Sequence, residues 1–182
     1  PTTVKYDGKM VIHQGSSVLT KEMKVIAKGA DLGLIEFMSP ARDKGTKFLR
    51  TDSLLYIYFP SAGKTQKLSG HMLRQGMMGS DLSYEDQTSR NKLDDIYNSK
   101  ILKETDDEYT LELILKPNEE NSYYKRVLTV DKKKFVLLDS LMYANSGKLL
   151  KELSVLKYEK IKDRYYITHF KMEDKIKKDS YT

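Results

Sequence analysis

Apolar and polar residues alternate along most of this chain in short runs, and turn residues separate the runs at intervals of about 8–14 positions. In Tyr109–Leu115, the residues Tyr109, Leu111, Leu113 and Leu115 share one face, while Thr110 and Glu112 point the other way. In Leu54–Phe59, Leu55, Ile57 and Phe59 face one side, and Leu54, Tyr56 and Tyr58 face the other. Both faces of that run are apolar or amphipathic, which predicts a strand covered on both sides. The pattern predicts strands over Lys9–His13, Val18–Lys28, Leu32–Met38, Lys44–Thr51, Leu54–Phe59 and Lys64–Ser69. A second series covers Tyr97–Glu104, Glu108–Lys116, Tyr123–Asp131, Lys134–Tyr143, Leu149–Lys160 and Arg164–Glu173. The connections are short and rich in Gly and Asn, so consecutive strands are expected to pair antiparallel. Helical pattern is scarce. The best candidate is Ser80–Tyr97, with Ser80 or Asp81 as cap, Glu85 and Asp86 early, and Leu93 and Ile96 apolar later.

Composition narrows the class. The chain has 182 residues, 32% charged and 39% hydrophobic, which predicts a single globular domain rather than a disordered chain. No apolar run approaches the ~18 residues of a membrane-spanning helix. The net charge of +6 admits an anionic partner, but lysines are spread along the chain among Asp and Glu, as on a solvated mixed surface. The absence of Cys excludes disulfides, thiolate metal sites and a cysteine nucleophile. The first residue is Pro, which points to an N-terminal segment removed from this sequence.

Catalytic patterns are missing. Gly63-Lys64-Thr65 resembles the end of a phosphate-binding loop, but Tyr58 stands where its first glycine belongs, and the segment enters a strand. His13, His71 and His169 are far apart in sequence, so no metal site is expected. Asp81, Glu85 and Asp86 cluster at the start of the candidate helix, where the helix dipole favours acidic charge; a cation or partner contact is the alternative. Tyr123-Tyr124-Lys125-Arg126 mixes aromatic and basic residues as single-strand binders do. In a strand, however, Tyr124 and Arg126 face away from Tyr123 and Lys125, so no nucleic-acid partner is expected.

The segment HMLRQGMMGSDLSYED, residues 71–86, breaks the strand pattern. It sets Met72, Leu73, Met77 and Met78 among Gly70, Gly76 and Gly79. One reading is ordinary core, in which methionines plug an open end of the sheet. The other is a mobile lid, whose unbranched side chains repack around apolar ligands while the glycines let the backbone open. Residue chemistry alone leaves both open.

The block Ser39–Asp86 resembles a family of periplasmic outer-membrane lipoprotein-sorting-like proteins, similar in fold to the bacterial lipoprotein carrier and its outer-membrane receptor. The matching pieces are Ser39-Pro40-Ala41, Lys44-Gly45-Thr46, Phe48-Leu49-Arg50, Tyr58-Phe59-Pro60-Ser61, Ser69-Gly70 and Met78 through Asp86. The resemblance implies a mainly β fold: a strongly curved antiparallel sheet forming an incomplete β-barrel, with a helical and loop lid over an apolar cavity. In the carriers that cavity holds lipoprotein acyl chains, which favours the lid reading. Family members usually begin with a helix and continue past the equivalent of Lys177–Thr182, so residues 1–182 are expected to be one carrier-like domain trimmed at both ends.

The expected function is therefore a non-enzymatic periplasmic carrier or chaperone for a lipid or the acyl chains of a lipoprotein, serving sorting at the outer membrane. The candidate contacts are Ile35, Phe37, Leu55, Ile57 and Phe59 on strands, and Met72, Leu73, Met77 and Met78 on the lid. The strand residues are assigned by alternation, so a one-residue slip would invert them. Arg50, Lys67 and Arg74 are secondary candidates for headgroup contact. No cofactor is expected. Peripheral membrane contact, outer-membrane anchoring and an envelope transporter as partner are compatible with this role. The alternative is an interaction module that docks on such a transporter and carries nothing.

Overall fold

The structure, a computed structural model, describes residues 3–29, 31–52, 54–88 and 93–182. It divides into two compact units: residues 1–91 together with Thr182, and residues 92–181.

Unit 1 is an antiparallel meander of β1 (Thr3–Gln14), β2 (Ser17–Lys28), β3 (Leu32–Ser39), β4 (Lys47–Thr51), β5 (Leu54–Phe59) and β6 (Lys64–Leu68). Alternation selects its inner face. Val25 stands opposite Ile35, Ile35 opposite Phe48, and Phe48 opposite Ile57, so four strands contribute one apolar row. Beside it, Gly33, Arg50, Leu55 and Leu68 form a second row. Phe37 and Phe48 meet edge to face at 5.9 Å, the geometry that aromatic quadrupoles favour. The loop between β3 and β4 is built from the Ser39–Thr46 motif. The Gly45 N–H donates to the Phe37 carbonyl (2.8 Å) and the Phe37 N–H donates to the Thr46 carbonyl (2.9 Å). The buried Lys21 amine pairs with Asp43 of this loop, so the burial of that charge is compensated. Strand β4 accordingly starts at Lys47 rather than Lys44, because Lys44 is used in the turn.

Unit 2 is a second antiparallel meander: β7 (Tyr97–Glu104), β8 (Glu108–Leu115), β9 (Lys125–Asp131), β10 (Leu137–Tyr143), β11 (Leu149–Ile161), β12 (Arg164–Asp174) and β13 (Ser180–Tyr181). Tyr97, Leu113 and Leu128 form its buried cluster, with Leu111 and Leu115 beside them as the alternation in β8 predicts.

Of the expected helix over Ser80–Tyr97, Ser80–Tyr84 are not helical and Tyr97 begins a strand, while Glu85–Thr88 (α1, unit 1) and Leu93–Ile96 (α2, unit 2) are helical; residues 89–92 lie outside the described residues. The late start has a local cause. Ser80–Ser83 is consumed by a hydrogen-bonded loop, so the first turn begins later, capped by Ser83. The Lys116 amine donates to the Asp94 and Asp95 carbonyls, both at 2.8 Å, satisfying acceptors at the end of α2. The Tyr123–Arg126 expectation also changes. Strand β9 starts at Lys125, and a bend before it turns Tyr123 toward the buried Arg126, whose guanidinium lies 4.8 Å from the Tyr123 ring and 5.5 Å from Tyr97. The aromatic–basic pair is spent inside unit 2.

Candidate functional site

The candidate site is the inner face of unit 1 and the segment that follows β6. After Leu68 the chain makes one 3-10 turn over Gly70–Arg74 and a second over Met77–Gly79. Gly76 permits a close backbone approach: a Cβ there would lie 2.4 Å from the Ser80 carbonyl oxygen. Met78 takes a left-handed conformation (φ 53°) that a methionine rarely adopts. These features close a tight loop. The Met77 N–H donates to the Leu82 carbonyl at 2.6 Å, and the Ser80 N–H and hydroxyl both donate to the Met77 carbonyl, at 3.0 and 2.7 Å. The Tyr84 N–H donates to the Gln75 carbonyl (3.1 Å), completing a short antiparallel pairing around the Gly76–Ser83 bridge.

The loop is anchored at its rim. The Asp81 N–H donates to the Thr182 hydroxyl oxygen (3.0 Å), and that hydroxyl donates to the Asp81 carboxylate (2.8 Å). The Gln14 amide donates to the Gly79 carbonyl (3.0 Å). Next in the chain, the Asp86 carboxylate accepts from the Ser83 N–H (2.7 Å) and hydroxyl (2.8 Å), a reciprocal cap on α1. The acidic cluster thus serves helix capping and loop anchoring.

This loop delivers Met77, 2% exposed, onto the sheet. A cavity of about 100 Å³ remains, with Ile35, Leu55, Arg50 and Met77 among its walls. Four of the residues expected from sequence therefore converge. Phe37 and Ile57 lie buried on the same sheet face, although they do not line the cavity. Met72 and Leu73 are half-buried on the first 3-10 turn, where the Met72 sulfur accepts from the Gln66 amide at 3.7 Å. Met78 is half-buried beside Met77. Phe59 ends β5 and is exposed, and Arg74 is exposed. Lys67 stands opposite Tyr56 in the register and so occupies the other face of the sheet, because Tyr56 alternates with Leu55 and Ile57.

Sequence reasoning missed Tyr6, Val25, Phe48 and Gln87, which also line the cavity. The alternation of Met23, Val25 and Ala27 in β2 carried a usable signal. Tyr6 and Gln87 arrive through strand register and loop path, which no local pattern encodes. Burial pushes the Tyr84 phenol above its ordinary range, opposed by a hydrogen bond from the Met78 backbone. Among the described residues, no three His, Asp or Glu side chains are grouped to hold a metal ion.

Comparison with known proteins places this arrangement. A model of a family described as "Uncharacterized protein" matches residues 29–182. The structure is similar to that of a DUF1329 family protein from Desulfovibrio piger, 28% identical, with a TM-score of 0.87 over 99% of this chain and 82% of that one. It is also similar to a domain assigned to outer membrane lipoprotein sorting from Vibrio parahaemolyticus (23% identity, TM-score 0.84, 97% and 81% covered). A LolA superfamily protein from Nitrosomonas europaea is similar as well (22% identity, TM-score 0.74, 97% and 81% covered). Among curated proteins none matches the chain. The family model spans most of the sequence, and the chain belongs to the DUF1329-like family, with the fold of the LolA superfamily.

Proposed function

We propose that this protein is a non-enzymatic carrier or chaperone of the bacterial periplasm that holds a lipid, or the acyl chains of a lipoprotein, against the inner face of unit 1 for sorting at the outer membrane. The observation that carries this reading is Met77. It is buried like a core residue, yet it sits on a separately hydrogen-bonded loop rather than on a strand. Moving that loop aside would bare the apolar row of Ile35, Phe48 and Ile57 with Leu55 beside it. An acyl chain offers replacement contact at about 0.8 kcal/mol per buried methylene, with no polar partner required.

The cavity of about 100 Å³ is smaller than the ~150 Å³ space that accepts benzene in a protein core. A chain of many methylenes therefore enters only as the loop moves, and Met77 is the side chain it displaces. Arg50 and Gln87 on the same wall supply polar contacts for a headgroup.

Organic extraction of the purified protein followed by lipid mass spectrometry is the direct test, and a stoichiometric acyl species is the expected result. Motion is tested separately. The chain has no Cys, so cysteines introduced by Gln66→Cys and Met72→Cys can be joined by a short bismaleimide. Crosslinking should suppress uptake of a fluorescent fatty acid. Equal uptake with and without the crosslink would refute a moving cover.

A further inference from the structure

The opposite face of unit 1 carries a second apolar surface. In register across six strands, Lys5, Ile26, Leu34, Leu49, Tyr56 and Lys67 stand side by side. Four apolar side chains thus form a row with a lysine at each end. An adjacent row on the same face runs Lys28, Leu32, Thr51, Leu54. Ile26, Leu32, Leu49 and Leu54 are 40%, 45%, 43% and 37% exposed, and a depression of about 340 Å³ lies between Leu34, Leu49, Tyr56 and Tyr58. The row on the other side is charged: Asp7, Lys24, Glu36 and Lys47 stand opposite one another in turn, and Glu36 pairs with Lys47 at 3.5 Å. In unit 2 the row that alternates with the buried set holds an ion pair, Glu112 with Lys100 at 2.8 Å, with Val127 next in register.

We propose that this face docks unit 1 on an anionic lipid bilayer. Its apolar strip enters the boundary between headgroups and acyl chains, and its lysines meet lipid phosphates. Charge selects the partner. The three rows carry Lys5, Lys24, Lys28, Lys47 and Lys67 against Asp7 and Glu36, five cations to two anions. A second copy of the same face would bring like charge against like. Size points the same way. From strand spacing and rise, the two apolar rows cover on the order of 250 Å². A standard protein interface takes about 800 Å² from each partner. Shallow interfacial binding needs only a modest apolar area joined to cations, with long lysine stems and amphipathic tyrosines at its border.

The test is flotation of the 182-residue chain with phosphatidylglycerol vesicles and, separately, phosphatidylcholine vesicles, at low and high salt. The expected result is at least ~10-fold stronger partition to the anionic vesicles, weakened by salt. The double variant Ile26→Glu, Leu49→Glu should lose about 10-fold or more of that binding, and Lys5→Glu, Lys67→Glu should lose its salt-sensitive part. All four side chains lie at the surface, and circular dichroism should show the β fold retained. The bismaleimide-crosslinked protein should bind vesicles as the wild type does, because acyl uptake plays no part in this contact. Absence of wild-type binding to anionic vesicles, or equal binding by Ile26→Glu, Leu49→Glu, would overturn the proposal. A dimer in sedimentation that disappears in the same variant would assign the face to a second copy and also overturn it.

Discussion

Unit 1 and unit 2 are both antiparallel meanders with one buried face, yet they fill that face differently. In unit 2 the filling comes largely from the strands themselves. Tyr97, Leu113 and Leu128 lie on β7, β8 and β9, and the Tyr97 hydroxyl donates to the Tyr123 carbonyl at 2.6 Å while accepting from Arg126 Nε at 3.3 Å. In unit 1 the cover includes a separate loop, and Met77 reaches the sheet from a backbone that bonds mostly to itself. Side chains tie it to the rest of the unit, from Gln14 to Gly79, from Asp81 to Thr182 and from Gln66 of β6 to Met72, and the Tyr84 ring lies 5.5 Å from that of Phe48 on β4. A core made by strands resists opening because the sheet must break with it. In the proposed carrier, a core finished by a tethered loop would open while the sheet stays paired.

The sharpest way to break this comparison is to truncate one residue in each unit. Leu113→Ala should cost about 3 kcal/mol, since a strand-fixed cavity collapses poorly. Met77→Ala should cost less than about 1.5 kcal/mol, because the loop can resettle, and it should increase fatty-acid uptake. Urea denaturation measures both costs. Equal costs with unchanged uptake would make the two faces the same kind of core.

Gly76→Ala comes next. The added Cβ would lie 2.4 Å from the Ser80 oxygen, so the loop must shift at an expected cost of about 2 kcal/mol. Proteolysis should then cut faster within residues 70–84 while unit 2 stays protected. In unit 2, Tyr97→Phe should cost about 1–2 kcal/mol, because it strips a partner from the buried Arg126 and from the Tyr123 carbonyl. Unchanged thermal stability in Tyr97→Phe would show that the two flanking rings alone hold the guanidinium.

Much of the fold was legible because a strand with one buried face writes its alternation into the sequence. Leu54–Phe59 and Tyr97–Glu104 match residue for residue, and the alternation in Tyr109–Leu115 gave the correct buried side. The misses fall where side-chain chemistry competes with periodicity. Ser80–Ser83 looked like a helix start, but its hydrogen bonds close a loop, and Ser83 with Asp86 makes the real cap. The short strand Ser180–Tyr181 is too brief to show a period. In the site, Met77 stood out as an apolar side chain among glycines. The placement of Lys67 on the far face was implicit in Leu55 alternating with Tyr56, yet it required the β5–β6 register.

The smallest expected effects are pH effects, and they sharpen the same comparison. In unit 1, burial raises the Tyr84 phenol above its ordinary value of 10.0. A raised folded value means that the stabilisation is complete below pH 10.0 and is lost as pH rises through the folded value. Tyr84→Phe should remove that loss and move the alkaline loosening of residues 70–84, followed by hydrogen exchange, to higher pH. In unit 2, Asp139 is raised above 3.8 by burial and by the nearby negative charge of Glu152, against the Ser140 backbone hydrogen bond. Its contribution is complete below pH 3.8 and lost as pH rises through its folded value. Asp139→Asn should therefore stabilise unit 2 at neutral pH and make no difference near pH 3, as read by denaturant unfolding at both pH values. If Tyr84→Phe instead shifted protection throughout unit 1, including β1 to β6, the loop and the sheet would open together, and the cover would be part of the core it closes.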